Sequence, residues 1–463
     1  MALLVMKFGG SLTADAKKLS RVAQVIAAES LAWDQLVVVV SAMAGVTDAL
    51  RRALDLAETQ NPGGYRRVIA LMRERHQTMI EELFSASGIR QQLLDVLDRQ
   101  LFEVMNVCDQ AVRARTAPPR ERDAAMACGE QIMGHILTAL VRQEGLMAAR
   151  VESESLIITD ESHQNANPLT DLIDERVERL LRPVLEAKIT PIVPGFVGAT
   201  RKGAITTLGR GGSDYTATLL AAALRAEEVW LWTNVDGIMS TDPAWVPGAR
   251  VIPALSYQEV EELAYFGTRV LHPDAIEPLI PRGIPLRVRN PDNLDHAGTV
   301  IQAEANDPEV ILKAVSAVDG LLLTLNGQPL ELGTFLAQVG HIVKQSARGP
   351  VIVLQSHQHT TLVFVVPTSE GPSASTRLSA QLAVALPKWE VKPVKVIAAF
   401  GPGASQNVNL RVPVLATATG TGNRRLFAVS PNDAKEAVRQ IHKLTESSAV
   451  ISARQVYPQI RRD

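Results

Sequence analysis

Three short segments rich in small residues carry side chains suited to handling anions. The first is Lys7-Phe8-Gly9-Gly10-Ser11, at the end of an apolar run. A strand ending in Lys-x-Gly-Gly lets backbone N–H groups approach an anion without interference from a Cβ, and a helix starting just beyond adds its positive end. Lys7 stands where a cation could meet a phosphate; a glycine pair after a strand is equally a plain tight turn, and this motif alone leaves both readings open. The second segment, Gly209-Arg210-Gly211-Gly212-Ser213-Asp214, puts three glycines at the opening of a helix. Asp214 suits a helix N-terminus on structural grounds alone. Arg210, held within glycines, suits bidentate contact with a carboxylate or phosphate, the alternative being an arginine that faces solvent. The third, SAMAGVTD at residues 41–48, offers the hydroxyls of Ser41 and Thr47, which serve as readily to cap a helix. Glu130, in the run ACGEQ, is on its own an ordinary helix-surface residue.

Other chemistries find no support. There is no GxxxxGK[ST] loop, and no GxGxxG follows the first apolar run. A G-x-S-x-G elbow is also absent, which removes the usual basis for acyl-enzyme chemistry. The 9 histidines form no HExxH pair, and His357 with His359 is an incidental spacing in a strand-like stretch. Cys108 and Cys128 are the only cysteines, too few for a disulfide scaffold or a cysteine-rich zinc site. Lys+Arg at 47 against Asp+Glu at 49 gives a net charge of -2, so no global attraction to nucleic acid or anionic membrane is expected. Aromatic content of 4% leaves few base-stacking candidates. The opening MALLVM stops at Lys7 without a cleavage pattern and reads as a strand. With no uninterrupted apolar run of spanning length, a cytoplasmic enzyme is expected.

The elements around these segments follow a parallel α/β rhythm. Residues 3–8 read as a short apolar strand, 17–29 as a helix with Leu19, Val22, Val25 and Ile26 on one side, and 36–40 as a strand buried on both faces. In such a fold the loops after the strands form the ligand face. Residues 47–115 read as a helical excursion, and Pro118-Pro119 closes it. Strands are expected at 189–193 and 229–232, with a helix at 213–225 between them. Beyond about residue 301 the character changes. Strand-like runs at 321–325, 351–354 and 362–366 accompany helical stretches at 333–345 and 375–386. A second cycle has strands at 394–400, 410–416 and 426–429, and a helix at 432–445. Two successive units of this kind suggest a duplicated small α+β module.

Taken together, the segments resemble aspartate kinases of the amino-acid kinase superfamily. The resemblance covers residues 2–301 and rests on KFGGS, VVVVSAMAGVTD, GEQ, PGFVGAT, TTLGRGGSDYTATLL, LWTNVDGIMSTDP, LSYQEVEELAYFGTRVLHP and GTVI. It implies a three-layer α/β/α kinase domain with a mainly parallel sheet over residues 1–305. Two α+β, ferredoxin-like modules of the ACT type would follow, at 306–390 and 391–463, the last strand returning to the first module. It also implies phosphoryl transfer from ATP to the side-chain carboxylate of L-aspartate. Lys7 and Asp214 would be catalytic, with Ser41, Thr47, Glu130 and Arg210 binding the amino acid. Lys7, Phe8, Gly9, Gly10, Thr233, Asn234, Met239, Arg269 and Val270 would bind the nucleotide. Mg²⁺ would be held mainly by phosphate oxygens rather than by protein ligands. The family further implies a homo-oligomer, dimerised through the ACT modules, and an amino-acid feedback effector.

Departures from the family pattern gather on the nucleotide side. Asn234, Met239 and Ala244 stand where Asp, Tyr and Arg are usual; Arg269 replaces a lysine; Leu12 replaces a hydroxyl residue. These changes predict weakened ATP affinity or an altered nucleotide preference, with amino-acid specificity kept; the alternatives are a catalytically impaired or silent regulatory paralogue, which the same changes would support, and a kinase of the superfamily acting on another carboxylate. The effector-loop segments LNGQPLELG and FGPGASQNVN match the family pattern poorly, and a plain dimerisation role for the modules stands beside a regulatory one.

Overall fold

LLVMKF and QLVVVV contain almost no residue that water would hold, so each can be stable only where helices cover both faces of a sheet. The computed structural model places them there. It describes residues 2–267, 271–305, 312–326, 350–355, 359–366, 374–386, 388–401, 403–404, 410–420 and 423–446. Leu3–Phe8 pairs in parallel with Gln35–Val40 on one side and Glu228–Trp232 on the other. In the first of two compact units, residues 1–237 with 271–303, the strand order is Ala148–Arg150, Thr190–Pro194, Gln35–Val40, Leu3–Phe8, Glu228–Trp232, Leu286–Arg289, Thr299–Gln302. All neighbours in that series are parallel except the last pair, which is antiparallel.

Strand alternation assigns the two faces. Leu4, Met6, Phe8, Leu36, Val38 and Val40 join one hydrophobic cluster with the helices Ala16–Glu29 and Cys128–Gln143. Val5, Val37 and Val39 point the other way and are as fully buried, and the helix Gly212–Leu224 packs along these strands. The helices Val46–Glu58, Pro62–Leu83 and Ser87–Ala114 add Leu50, Tyr65, Leu97 and Leu101 to the first cluster. The helical excursion is therefore part of this core. The stretch Pro119–Gln143 is long and apolar enough to cross a membrane, but 78% of its apolar window is buried inside the protein, as a core helix would be. A small sheet of Ile158–Thr159, Val197–Thr200 and Ile205–Thr207 was not foreseen; its strands are too short to show a period.

The second unit comprises Ile238–Val270 and Glu304–Asp463. Its antiparallel sheet runs Pro350–Gln355, His359–Val365, Ala314–Asn326, Glu390–Phe400, Arg424–Val429, Val414–Gly420. Ala374–Ala385 and Ala434–Glu446 are its helices. This is the α+β, ACT-like architecture expected. The partition differs from 1–305, 306–390 and 391–463 in two ways. Residues 238–270 belong to this unit, tied in by Ser240 Oγ to His442 Nε2 at 2.8 Å and by Lys313 to Glu259 at 2.7 Å. Nor is there a clean cut at 390, because Ala314–Asn326 and Glu390–Phe400 pair continuously from Ala314↔Phe400 to Thr324↔Glu390. The helix expected at 333–345, residues 327–333 and 405–409 of the effector-loop segments, and His357 lie outside the described residues.

Candidate active site

The strand register decides which loops meet. Lys7 lies between Val39 and Leu231, and Phe8 between Val40 and Trp232, so the turns after these three strands leave the sheet at one level. Lys7 Nζ is 2.6 Å from Asp214 Oδ1, with side chains only 12% and 16% exposed. The pair joins the end of the central strand to the first turn of Gly212–Leu224, where the helix dipole favours the acidic residue. A Cβ at Gly9 would lie 3.5 Å from Lys7 Nζ, and one at Gly10 would lie 3.1 Å from the Ala42 carbonyl oxygen. Glycine thus keeps open the space beside the ammonium. The Gly9 N–H is turned toward the Trp232 carbonyl over a long 3.4 Å, while Gly10 opens the 3-10 turn Gly10–Leu12.

The opposite wall is built from left-handed backbone. Gly45 (φ 78°) precedes the helix Val46–Glu58, and Gly211 (φ 74°) precedes Gly212–Leu224. At Gly211 a Cβ would also sit 2.7 Å from that of His272, so no other residue fits. Phe196 takes φ 69°, an unusual conformation for an aromatic residue, and Thr216 Oγ1 holds its amide at 3.0 Å.

A cavity of about 500 Å³ opens between these turns. Lys7, Gly10, Ser41, Thr47, Glu130, Arg210 and Asp214 all line it, so the residues expected for catalysis and amino-acid binding converge. The nucleotide set does not converge as fully. Phe8 offers only backbone: its ring is buried, stacked 5.9 Å from Trp232, because strand alternation turns it into the core. Thr233 and Asn234 follow the strand Glu228–Trp232, and the Asn234 side chain is exposed. Met239 and Ala244 fall in the second unit, and Arg269 and Val270 lie outside the described residues. Leu12 is 2% exposed and packs in the core, so it does not belong to a nucleotide surface. Thr13 supplies a hydroxyl instead, donating to the Gly10 and Ala42 carbonyls at 3.1 and 2.9 Å.

Glu130 is the least ordinary group here. It is 4% exposed, and its Oε2 has no hydrogen-bond partner among the described residues. Burial pushes its carboxyl up to about 8, against the opposing pull of the Ala42 amide and Lys7. Gly129 creates this burial: a Cβ there would come 2.8 Å from that of Ala42 and 2.9 Å from Val46 Cγ1. Gly129→Ala should therefore push the helix Cys128–Gln143 off the 41–46 turn. Overpacking of this kind costs about 1–3 kcal/mol, and a lowered midpoint in chemical denaturation would register it.

Sequence reasoning missed Asp123, Gln164 and Thr207, which also line the cavity. Among the described residues no group of three His, Cys, Asp or Glu side chains is placed to enclose a metal ion, and Asp214 is engaged by Lys7.

A sequence profile of the amino acid kinase family matches residues 2–290. The lysine-sensitive aspartokinase 3 of Escherichia coli is 28% identical over 454 residues, 95% of this chain and 98% of that protein. The bifunctional aspartokinase/homoserine dehydrogenase of Haemophilus influenzae is 26% identical over 95% of this chain; the chain spans only 56% of that longer protein. The crystal structure of E. coli aspartokinase III in complex with aspartate and ADP matches with a TM-score of 0.76 and 28% identity. That match covers 96% of this chain and 99% of the other.

Proposed function

The chain belongs to the amino acid kinase family, and from that premise we propose that it is an aspartate kinase, transferring the γ-phosphoryl group of ATP to the side-chain carboxylate of L-aspartate. The observation that carries this reading is the 2.6 Å Lys7–Asp214 pair, set between glycine turns in the same cavity as a buried acid and an exposed arginine. A carboxylate oxygen attacks the γ-phosphorus, the bond from that phosphorus to the bridging oxygen breaks with its electron pair going to ADP, and an acyl phosphate results. The attacking carboxylate is already an anion at neutral pH, so no general base is needed; repulsion between anions is the obstacle. Lys7, oriented by Asp214, offsets charge on the transferring group. Arg210 grips the substrate α-carboxylate in its fork, Glu130 its α-ammonium, and Thr47 and Ser41 complete the pocket. ATP arrives with Mg²⁺ on its phosphates, an ion that habitually keeps to phosphate and water oxygens.

Trapping with hydroxylamine tests the reading. Incubation with ATP and a panel of acids should give hydroxamate with L-aspartate. Product only with another acid, or none with any, would reject it. On the nucleotide side, Asn234, exposed just beyond the strand Glu228–Trp232, in place of Asp should relax base selectivity. We expect half-saturation by GTP within about tenfold of that by ATP, roughly 1.4 kcal/mol. An ATP preference beyond a hundredfold would refute this.

The balanced charge and the burial of Pro119–Gln143 favour a cytoplasmic enzyme without a membrane or nucleic-acid partner. Pairing of two chains through the antiparallel sheet of the second unit, with an amino-acid effector, completes the proposal. It places the product in the synthesis of lysine, threonine and methionine.

A further inference from the structure

Asp123 is fully buried, yet among the described residues no lysine or arginine forms an ion pair with it. Its carboxylate instead accepts from three donors remote in sequence: His163 Nδ1 at 2.7 Å, the Gln164 amide at 3.0 and 3.1 Å, and Thr207 Oγ1 at 2.6 Å. Asp123, Gln164 and Thr207 line the cavity, and His163 stands behind them, 17% exposed. Two consequences follow from hydrogen-bond chemistry. A carboxylate only accepts, so the Thr207 hydroxyl gives its hydrogen to Asp123 and offers only lone pairs to whatever occupies the cavity. The second consequence runs through the backbone. Gln164 is held at φ 73°, the Ala166 amide donates to the Thr207 carbonyl at 3.0 Å, and the neighbouring Asn165 presses on Gly209. Asn165 Oδ1 occupies the place of a Gly209 Cβ, 2.1 Å from where that atom would be. Gly209 leads directly into Arg210.

We propose that Asp123, braced by His163, is a positioning residue for the amino-acid end of the substrate. It fixes the Thr207 hydroxyl as an acceptor for the substrate ammonium and holds residues 163–165 against Gly209, which sets the approach of Arg210. This rests on the aspartate reading above. Among the described residues, Asp123's hydrogen-bond partners are His163, Gln164 and Thr207, none of them assigned to the nucleotide, so its loss should separate the two substrates.

The test is steady-state kinetics on the full chain. Asp123→Ala should raise the KM for aspartate about tenfold or more, the size of a lost charge-assisted hydrogen bond. The KM for ATP should stay within about twofold and kcat within about fivefold. His163→Leu, at a partly exposed site, should raise the aspartate KM about fivefold, and His163→Gln, which keeps an N–H donor, should restore it. These two decide the matter if Asp123→Ala does not fold. An aspartate KM unchanged in folded variants, or both KM values rising in parallel, overturns the proposal. If the parent protein makes no hydroxamate from aspartate, the aspartate reading fails separately. Hydrogen exchange then judges the anchor alone: faster exchange over 205–212 in His163→Leu than in His163→Gln supports it, and equal exchange overturns it.

Discussion

Lys7→Met should lower kcat by about 10³-fold while leaving the aspartate KM within about threefold, because the ammonium acts on charge that grows during transfer. A preorganised cation in a water-poor site contributes roughly 3–4 kcal/mol to the transition state, which is two to three powers of ten in rate. The position of Lys7 explains why no neighbour can replace it. It comes from the central strand, held in register on both sides, and Gly9 puts no side chain beside its Nζ. Arg210 is on the far wall, in a different loop, and has its own assigned partner. Lys7→Arg should recover less than a tenth of the rate, since a forked guanidinium cannot take the place of a compact ammonium beside Gly9. Asp214→Asn keeps the shape but weakens the orientation of Lys7, and should fall between the two. A Lys7→Met variant with kcat within tenfold of the parent, measured by ADP release at saturating substrates, would remove Lys7 from the mechanism.

The contrast between Lys7 and Glu130 shows what a sequence discloses here. KFGGS and GRGGSD were legible because glycines after a strand or before a helix have a local cause, and local causes survive without a structure. The central strands were legible because runs such as QLVVVV fit one environment. Glu130 was legible only through the GEQ resemblance; its burial was not, since that depends on Gly129 accepting the approach of Ala42 and Val46, contacts made by a turn far away in the chain. Asp123 was hidden in the same way: its partner Thr207 lies 84 residues later, and a single acid in a helix carries no pattern. The assignment of 238–270 to the second unit depends on Ser240 meeting His442, 202 residues away. Leu12 misled in the opposite direction. Judged against a motif it was a lost hydroxyl; its side chain is core, and Thr13 does the hydrogen bonding.

The pH dependence of aspartate binding should expose Glu130 directly. With its carboxyl held near 8 by burial, the free protein is mostly protonated there at neutral pH. A substrate ammonium binds the carboxylate, so binding must expel that proton, and the apparent KM for aspartate should rise about tenfold for each pH unit below 8. Above 8 it should level off. Glu130→Gln cannot titrate; its KM should be flat between pH 6 and 8 and, at pH 8, about a hundredfold above the parent, the loss of one buried charge pair. Stability should move the other way. The unfolded chain ionises this group near its ordinary 4.5 and the folded chain only near 8, so over that window the unfolded state binds fewer protons and stability falls as pH rises. The parent therefore carries a cost of a few kcal/mol at pH 8 that Glu130→Gln lacks, and the variant should melt higher there while the two converge near pH 4.5. A purely structural glutamate would give the reverse, a variant that melts lower and keeps its KM. That result, or a parent KM flat from pH 6 to 8, would take Glu130 out of the ammonium site.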